Sequence, residues 1–250
     1  MSLAAPTTPA TPATPATPER TRPRAIGVLS ATLALLRKDL LIEWRTRARL
    51  NAIIFFALAT LLMFSFALGP DTKLLEKNAG GYYWLAILFA SVLALGESFR
   101  VESENACLDG VRLAPADARA IFLSKALGNA LLLTALGVIL FPVMVGLYGV
   151  RIATSPVDLG IILVLGCLAL SAPGTVYAAI SSNARARDVL LPLLLFPLVI
   201  PALLSATKAT TLVLQGDPMN QLNSWLGLLS GFNLIYWGVG FLLFPRIIED

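Results

Sequence analysis

Six stretches of this chain are almost continuously apolar, and the segments between them carry most of the charged residues. An α-helix rises about 1.5 Å per residue, so about 20 apolar residues cross the hydrocarbon core of a bilayer. The pattern predicts an all-α polytopic membrane protein with six transmembrane helices. The second is short and needs residues from Gly80 and Gly81 or from beyond Glu97. The predicted spans are residues 51–68, 82–95, 126–147, 159–180, 189–206 and 225–244.

Two further segments precede the first span. Residues 1–25 are rich in Pro and Thr, and a Thr-Pro-Ala unit recurs between Thr8 and Ala16. Proline cannot continue a helix, and this segment has no apolar face to bury, which predicts a disordered tail. The transmembrane domain is therefore expected to occupy residues 26–250.

Residues 26–50 have the pattern of an amphipathic helix, with apolar residues at helical spacing and charges mostly away from them. A basic face and a Trp suit a helix that lies on the membrane surface. The alternative is a soluble helix packed on another domain. The apolar stripe is Leu29, Leu33, Leu36, Leu40 and Trp44, and the charged candidates for a functional role are Lys38, Asp39, Glu43 and Arg45.

The distribution of basic residues predicts the orientation of the spans. With six spans, 15 of the 19 Lys and Arg residues fall on the side of the N-terminus, and the others are Lys73, Lys77, Arg151 and Lys208. Cytoplasmic segments carry the excess of Lys and Arg, so both termini are expected in the cytoplasm. Topology thus accounts for the net charge of +4, and no nucleic-acid partner is predicted.

The composition removes several kinds of chemistry. The chain is 57% hydrophobic and 14% charged and has no His, so it lacks the usual general base and the commonest metal and haem ligand. It has no G-x-x-x-x-G-K-[ST] motif, and no predicted span has a charge at its centre. We therefore predict a protein that is not an enzyme, with no catalytic residue, metal site or stably bound cofactor.

Prolines within two predicted spans are candidates for a functional role. Pro192, Pro197 and Pro201 lie in the fifth span and Pro173 lies in the fourth. Each proline removes a backbone donor, so these helices are expected to be kinked and packed against protein or a cavity. A tolerated kink without a role in transport is the alternative.

The connection between the second and third spans, residues 97–125, is unusual for a cytoplasmic loop. It has five acidic residues beside four basic ones, together with apolar residues. The positive-inside rule needs only the bases, so the acids indicate a folded docking element; a solvated run of charges is the alternative. Gly110 is expected to end a short helix, and Pro115 with Asp117 to begin the next one. The candidate docking residues are Glu97, Arg100, Glu102, Glu104, Asp109, Gly110, Pro115 and Lys125.

This loop resembles the coupling loop of the membrane subunits of ABC-2-type exporters, and other segments narrow the resemblance to the haem exporter protein B family (CcmB). The resemblance extends from about Leu35 to the C-terminus, with one departure at Ala106, where we expect the family to have Gly. The further segments that carry it are Lys38-Asp39-Leu40, Glu43-Trp44-Arg45-Thr46-Arg47, Phe64-Ser65-Phe66-Ala67-Leu68, Ala184-Arg185-Ala186-Arg187-Asp188-Val189-Leu190-Leu191-Pro192 and Phe244-Pro245.

The resemblance implies a permease subunit of an ABC transporter in the bacterial inner membrane that serves c-type cytochrome biogenesis, with haem as the transported substrate. It implies a separate CcmA-like ATPase subunit, a CcmC-like haem-handling membrane subunit and a small CcmD-like membrane subunit as partners. A homodimer, or a pseudo-dimer with another membrane subunit, is also implied. The residues of this chain offer haem at most a transient apolar path.

Two other functions remain open from the sequence. One is an ABC-2-type permease for another substrate, such as a lipid, a glycan or a peptide. The other is a membrane scaffold that anchors an ATPase and transports nothing.

Overall fold

The structure is a computed structural model that describes residues 27–45, 47–69, 71–98, 117–151, 153, 155–182 and 187–249. These residues form seven α-helices and no strand. The predicted tail of residues 1–25 lies outside the described residues. The helices are α1 Val28–Arg45, α2 Arg47–Leu68, α3 Thr72–Ser98, α4 Ala118–Tyr148, α5 Pro156–Ser182, α6 Arg187–Gln215 and α7 Leu222–Glu249.

Six of the seven helices, α2 to α7, are long and apolar enough to span a membrane, which confirms the predicted fold class. Most of these helices extend several residues beyond the apolar segments predicted as spans. The second predicted span is longer at both ends, because α3 runs from Thr72 to Ser98. At its start, the carboxylate of Asp71 accepts a hydrogen bond from the Leu74 backbone N–H (3.1 Å). Such caps satisfy backbone donors outside the apolar core, where hydropathy no longer marks the helix.

The helix ends differ from the predicted segments at three places. Of the amphipathic segment predicted over residues 26–50, α1 covers Val28–Arg45, and the residues from Arg47 onwards belong to α2. Helices extend into the connection predicted over residues 97–125, since Glu97 belongs to α3 and Lys125 to α4. Lys208, expected on the outer side of the membrane, is an exposed residue of the last two turns of α6, which extends past the predicted span.

Two central helices organise the bundle. α3 and α5 are the most enclosed of the spanning helices, and each packs against α4 and α6 as well as against the other. α2 packs on α3 and α4, whereas α7 packs on α4, α5 and α6. α1 packs mainly along α4 and also touches α2. The exposed surface is rich in large apolar side chains, as expected for contact with lipid tails, including Phe55, Phe66, Leu234 and Leu242.

Glycines allow large side chains from α3 and α4 to reach neighbouring backbones. A Cβ added at Gly166 of α5 would collide with the ring of Trp84, and one at Gly174 would collide with Leu95. Gly240 of α7 receives the ring of Phe122 in the same way. Small residues at helix contacts are the usual means by which membrane helices approach closely.

Aromatic side chains add hydrogen bonds between the spans. The Tyr83 hydroxyl donates to the Gly137 carbonyl of α4 (2.9 Å), and the Tyr148 hydroxyl donates to the Leu61 carbonyl of α2 (2.9 Å). The indole N–H of Trp84 donates to the Thr210 hydroxyl of α6 (2.9 Å). These bonds satisfy polar groups that lipid tails could not.

The packing at Gly166 predicts a large effect of a side chain there. Gly166→Leu should lower the free energy of unfolding by about 1–3 kcal/mol or more, because the ring of Trp84 fills the space. Gly160→Leu is the matched control in the same helix, since nothing lies within 4 Å of an added Cβ there. Thermal unfolding of both variants in detergent measures the difference, and equal stabilities would contradict the packing.

The charge asymmetry and the six spans predict the topology. Reporter domains fused after Gly69, Gly149 and Gly216 should all report the non-cytoplasmic side, because these glycines follow α2, α4 and α6. A cytoplasmic signal from any of the three fusions would show that the predicted orientation or span count is wrong.

Candidate functional site: the loop-side cluster

Polar side chains gather where α3 ends and α4 begins, which is also the end at which α1 joins α2. We call this group the loop-side cluster. It contains Asp39 and Glu43 of α1, Arg49 of α2, Glu97 and Ser98 of α3, Lys125 and Asn129 of α4, and Thr175 of α5.

Lys125 joins three helices through one ammonium group. Its Nζ lies 3.3 Å from the Asp39 Oδ2 of α1 and donates to the Ser98 carbonyl at the end of α3 (3.1 Å). The Lys125 side chain is only 12% exposed. An ammonium this enclosed needs such partners, because desolvation without them is costly.

A second ion pair joins α1, α2 and α3. An Arg49 Nη lies 2.7 Å from the Glu43 Oε2, and the other Nη donates to the Ala94 carbonyl of α3 (2.6 Å). Asp39 and Glu43 are one helical turn apart on α1, so the two pairs lie on one face of that helix.

Burial gives Glu43 an unusual electrostatic environment. It raises the pKa of the Glu43 carboxyl, whereas the positive charges of Arg49 and Lys125 lower this pKa and the negative charges of Asp39 and Glu97 raise it. The buried Oε1 of Glu43 and Nε of Arg49 have no hydrogen-bond partner. The two cations therefore offset part of the effect of burial on the Glu43 carboxyl.

Asn129 extends the cluster into the bundle. Its Nδ2 donates to the Ser98 hydroxyl (3.2 Å) and to the Thr175 hydroxyl of α5 (3.0 Å). All three side chains are buried. The ends of α3, α4 and α5 are therefore held together by a hydrogen-bonded group one turn below Lys125.

α1 has two different faces. Ala31 and Thr32 are buried, and Leu36 packs beside Gly128 of α4. Leu29, Leu33 and Leu40 from the predicted apolar stripe are exposed on other sides of the helix, as is Leu41. Leu36 thus turns towards α4, while the rest of the described stripe is available to a membrane.

The structure brings several predicted candidates together. Asp39, Glu43 and Lys125 meet in the cluster, and the negative charge of Glu97 is close enough to raise the pKa of Glu43. Lys38 is half exposed, with its Nζ 3.3 Å from the Asp39 Oδ1, and Arg45 is exposed at the end of α1. Asp117 caps α4 as predicted, with its carboxylate accepting from the Arg119 N–H (2.9 Å).

Other candidates fall outside what the structure describes. Arg100, Glu102, Glu104, Asp109, Gly110 and Pro115 lie between the described residues 98 and 117. The side chain of Trp44 is likewise outside them.

Sequence reasoning missed four members of the cluster. Arg49 entered only as a topological charge, and Ser98, Asn129 and Thr175 were not singled out. Asn129 carries the clearest available signal, since it is an amide within an apolar span and needs hydrogen-bond partners there.

The four predicted prolines lie within continuous helices, and Pro173 is two residues from Thr175 of the cluster. Pro173 is buried in α5, Pro192 is half-buried in α6, and Pro197 and Pro201 are exposed. α6 packs on α3, α5 and α7, but Pro201 lies on its outer surface.

The described residues contain no group of three His, Cys, Asp or Glu side chains able to hold a metal ion. Cys167 and Met144 are buried in the apolar core, and Met63 is exposed on α2. The loop-side cluster consists of ion pairs and hydrogen bonds that connect five helices.

The electrostatics of Glu43 predict a pH-dependent variant. Arg49→Gln should raise the pKa of Glu43 further, because Arg49 is the first of the charges that lower it. A carboxyl with a raised folded-state pKa stabilises the fold at low pH, and that stability is lost as pH rises from about 4.5 through the folded pKa. The variant should lose roughly 1–3 kcal/mol at pH 8, allowing for partial exposure, and less at pH 5.

Thermal unfolding at the two pH values measures this effect. The double variant Arg49→Gln with Glu43→Gln is the control, and it should lose most of the pH dependence. Equal destabilisation of Arg49→Gln at both pH values would contradict the assigned environment of Glu43.

Comparison with known proteins places this architecture in a family. The family model described as CcmB protein matches residues 30–244. The protein named Heme exporter protein B of Pseudomonas aeruginosa is 32% identical over 203 residues, covering 81% of this chain and 90% of the relative. That of Rhodobacter capsulatus is 33% identical over 174 residues, covering 68% and 78% respectively. That of Escherichia coli K12 is 29% identical over 175 residues, covering 70% and 79%. The match includes α2 to α6 entirely and most of α1 and α7, and the chain belongs to the CcmB family.

Proposed function

We propose that this chain is the membrane subunit of an ABC transporter that exports haem for the biogenesis of c-type cytochromes. The observation that carries the proposal is the match to the CcmB family over nearly the whole helical part of the chain, with relatives named for haem export. Six spans and a polar cluster confined to one end are compatible with a permease of this kind.

A separate ATPase subunit supplies the energy in this proposal. The chain has no phosphate-binding loop motif. The work must therefore enter through a physical contact on the cytoplasmic side, and residues 99–116 are the natural contact because they connect α3 directly to α4. A haem-handling membrane subunit and a small membrane subunit complete the proposed complex, which is placed in the bacterial inner membrane with both termini in the cytoplasm.

The loop-side cluster supports this route for the force. A displacement of the loop acts first on Ser98 and on the first turns of α4, and both are tied to α1 and α2 by the pairs at Lys125 and Arg49. The acids of the loop would pair with bases around a groove on the ATPase. Removing one partner of a buried charged pair typically costs about 2–5 kcal/mol of binding.

Haem passes this chain, in our proposal, without stable ligation. The sequence has no His, and the apolar interior offers a porphyrin contact with aromatic and aliphatic side chains instead. Stable ligation of the iron is assigned to another subunit. A second copy of this chain, or another membrane subunit, would form the other half of the path.

Charge reversal in the loop tests the proposal. Glu102→Lys with Glu104→Lys should leave membrane insertion intact, because bases suit a cytoplasmic loop. Capture of the ATPase subunit should fall by about tenfold or more, since 1.4 kcal/mol already gives that factor. Haem staining of c-type cytochromes should fall with it at matched expression.

Glu76→Lys is the matched control, since Glu76 is an exposed residue near the opposite end of α3. Asp71 would serve less well because it caps that helix. Normal ATPase capture and normal cytochrome c in the double reversal would refute the docking role of these acids. Transport of other substrates but not haem by the reconstituted complex would refute the haem assignment.

A further inference from the structure

α1 is fastened to the loop-side end of the bundle at more than one point. Lys125 of α4 reaches Asp39, and Arg49 of α2 reaches Glu43, at 3.3 Å and 2.7 Å. Further along α1, the contact of Leu36 with Gly128 and the buried Ala31 and Thr32 provide apolar packing. A helix held only by lipid would need none of these contacts.

The same two cations also hold the end of α3. Lys125 donates to the Ser98 carbonyl, and Arg49 donates to the Ala94 carbonyl one turn earlier. Ser98 is the last described residue before the connection to α4, and Lys125 lies two turns into α4. Both ends of that connection are therefore linked to α1 through one ammonium group.

The side of α1 that faces away from the bundle exposes several large apolar residues beside Arg37. Leu29, Leu33 and Leu41 are each more than half exposed, at 75%, 59% and 54%. Such a face binds the headgroup region of a bilayer in proportion to its apolar area. A rotation of α1 would change how much of this area is buried in the membrane. The movement of α1 would therefore change the free energy of its contact with the bilayer.

We propose that the Asp39–Lys125 ion pair makes α1 a working part of the transport cycle, coupling displacement of the loop between α3 and α4 to the helix on the membrane surface. Asp39 and Lys125 are then positioning residues that set the haem delivered for each ATP hydrolysed. This inference rests on the proposed function.

A purely structural clamp makes a different prediction. If the pair only stabilised the fold, its loss would lower the amount of the subunit, and haem delivery and ATP hydrolysis would fall together. If the pair transmits force, its loss leaves the assembled complex turning over ATP while less haem is delivered. The ratio of the two activities separates the cases.

The experiment uses the complete complex in membrane vesicles and compares wild type with Asp39→Asn, Lys125→Gln and the exchange Asp39→Lys with Lys125→Asp. Lys38→Gln is the matched control, because Lys38 contacts the same carboxylate at 3.3 Å but belongs to α1 itself and is half exposed. Subunit amount, ATPase capture, ATP hydrolysis and haem-stained cytochrome c are measured for each.

We expect both single variants to assemble and capture the ATPase like wild type, with cytochrome c formed per ATP reduced at least about threefold, which corresponds to the lower range of measured pair couplings. The exchange should recover at least half of that loss. It restores the contact between α1 and α4 but not the hydrogen bond to Ser98, because an aspartate cannot donate one. Lys38→Gln should match wild type.

Three results would overturn the inference: an unchanged ratio in Asp39→Asn, an equal loss in Lys38→Gln, or no recovery in the exchange. If the single variants reduce the amount of subunit, the exchange variant decides between the two cases. Recovery of the amount of subunit without recovery of cytochrome c formed per ATP hydrolysed identifies a structural clamp. Absence of haem delivery by the wild-type complex would instead contradict the proposed function, so the two failures are distinguishable.

Discussion

Lipid tails offer no hydrogen-bond partners, and this constraint governs the structure. Helices satisfy the backbone along six spans, and polar side chains within them must find partners on neighbouring helices. Tyr83, Trp84 and Tyr148 do so through carbonyl and hydroxyl groups. Full charges are more costly to bury, so the ion pairs described here lie at one end of the bundle.

These ion pairs connect several helices at one end of the bundle. Each cation contacts both an acid of α1 and a backbone carbonyl of α3, so α1, α3 and either α2 or α4 meet at one charged group. Asn129 then connects the same region to α5. A force applied at the connection between α3 and α4 would reach three other helices, α1, α2 and α5, without crossing the apolar core.

Features that depend on neighbouring residues were predicted well from the sequence, whereas contacts between distant residues were not. Apolar runs located all six spans, because crossing a bilayer is a property of consecutive residues. The ends of those helices were less well predicted, since Asp71 and the polar first turns of α2 extend helices beyond the apolar signal. Asp39, Glu43 and Lys125 were recognised as candidates, but their contacts with one another were not.

The sequence by itself determined the class of the protein, its six spans and the family pattern, and it contains neither His nor a phosphate-binding motif. Only the tertiary structure decided that Lys125 pairs with Asp39, that Arg49 pairs with Glu43, and that Asn129 joins Ser98 to Thr175. The reason is that hydropathy is read from neighbours along the chain. An ion pair between α1 and α4 depends on how separate helices pack, and that packing joins residues that are far apart in the sequence.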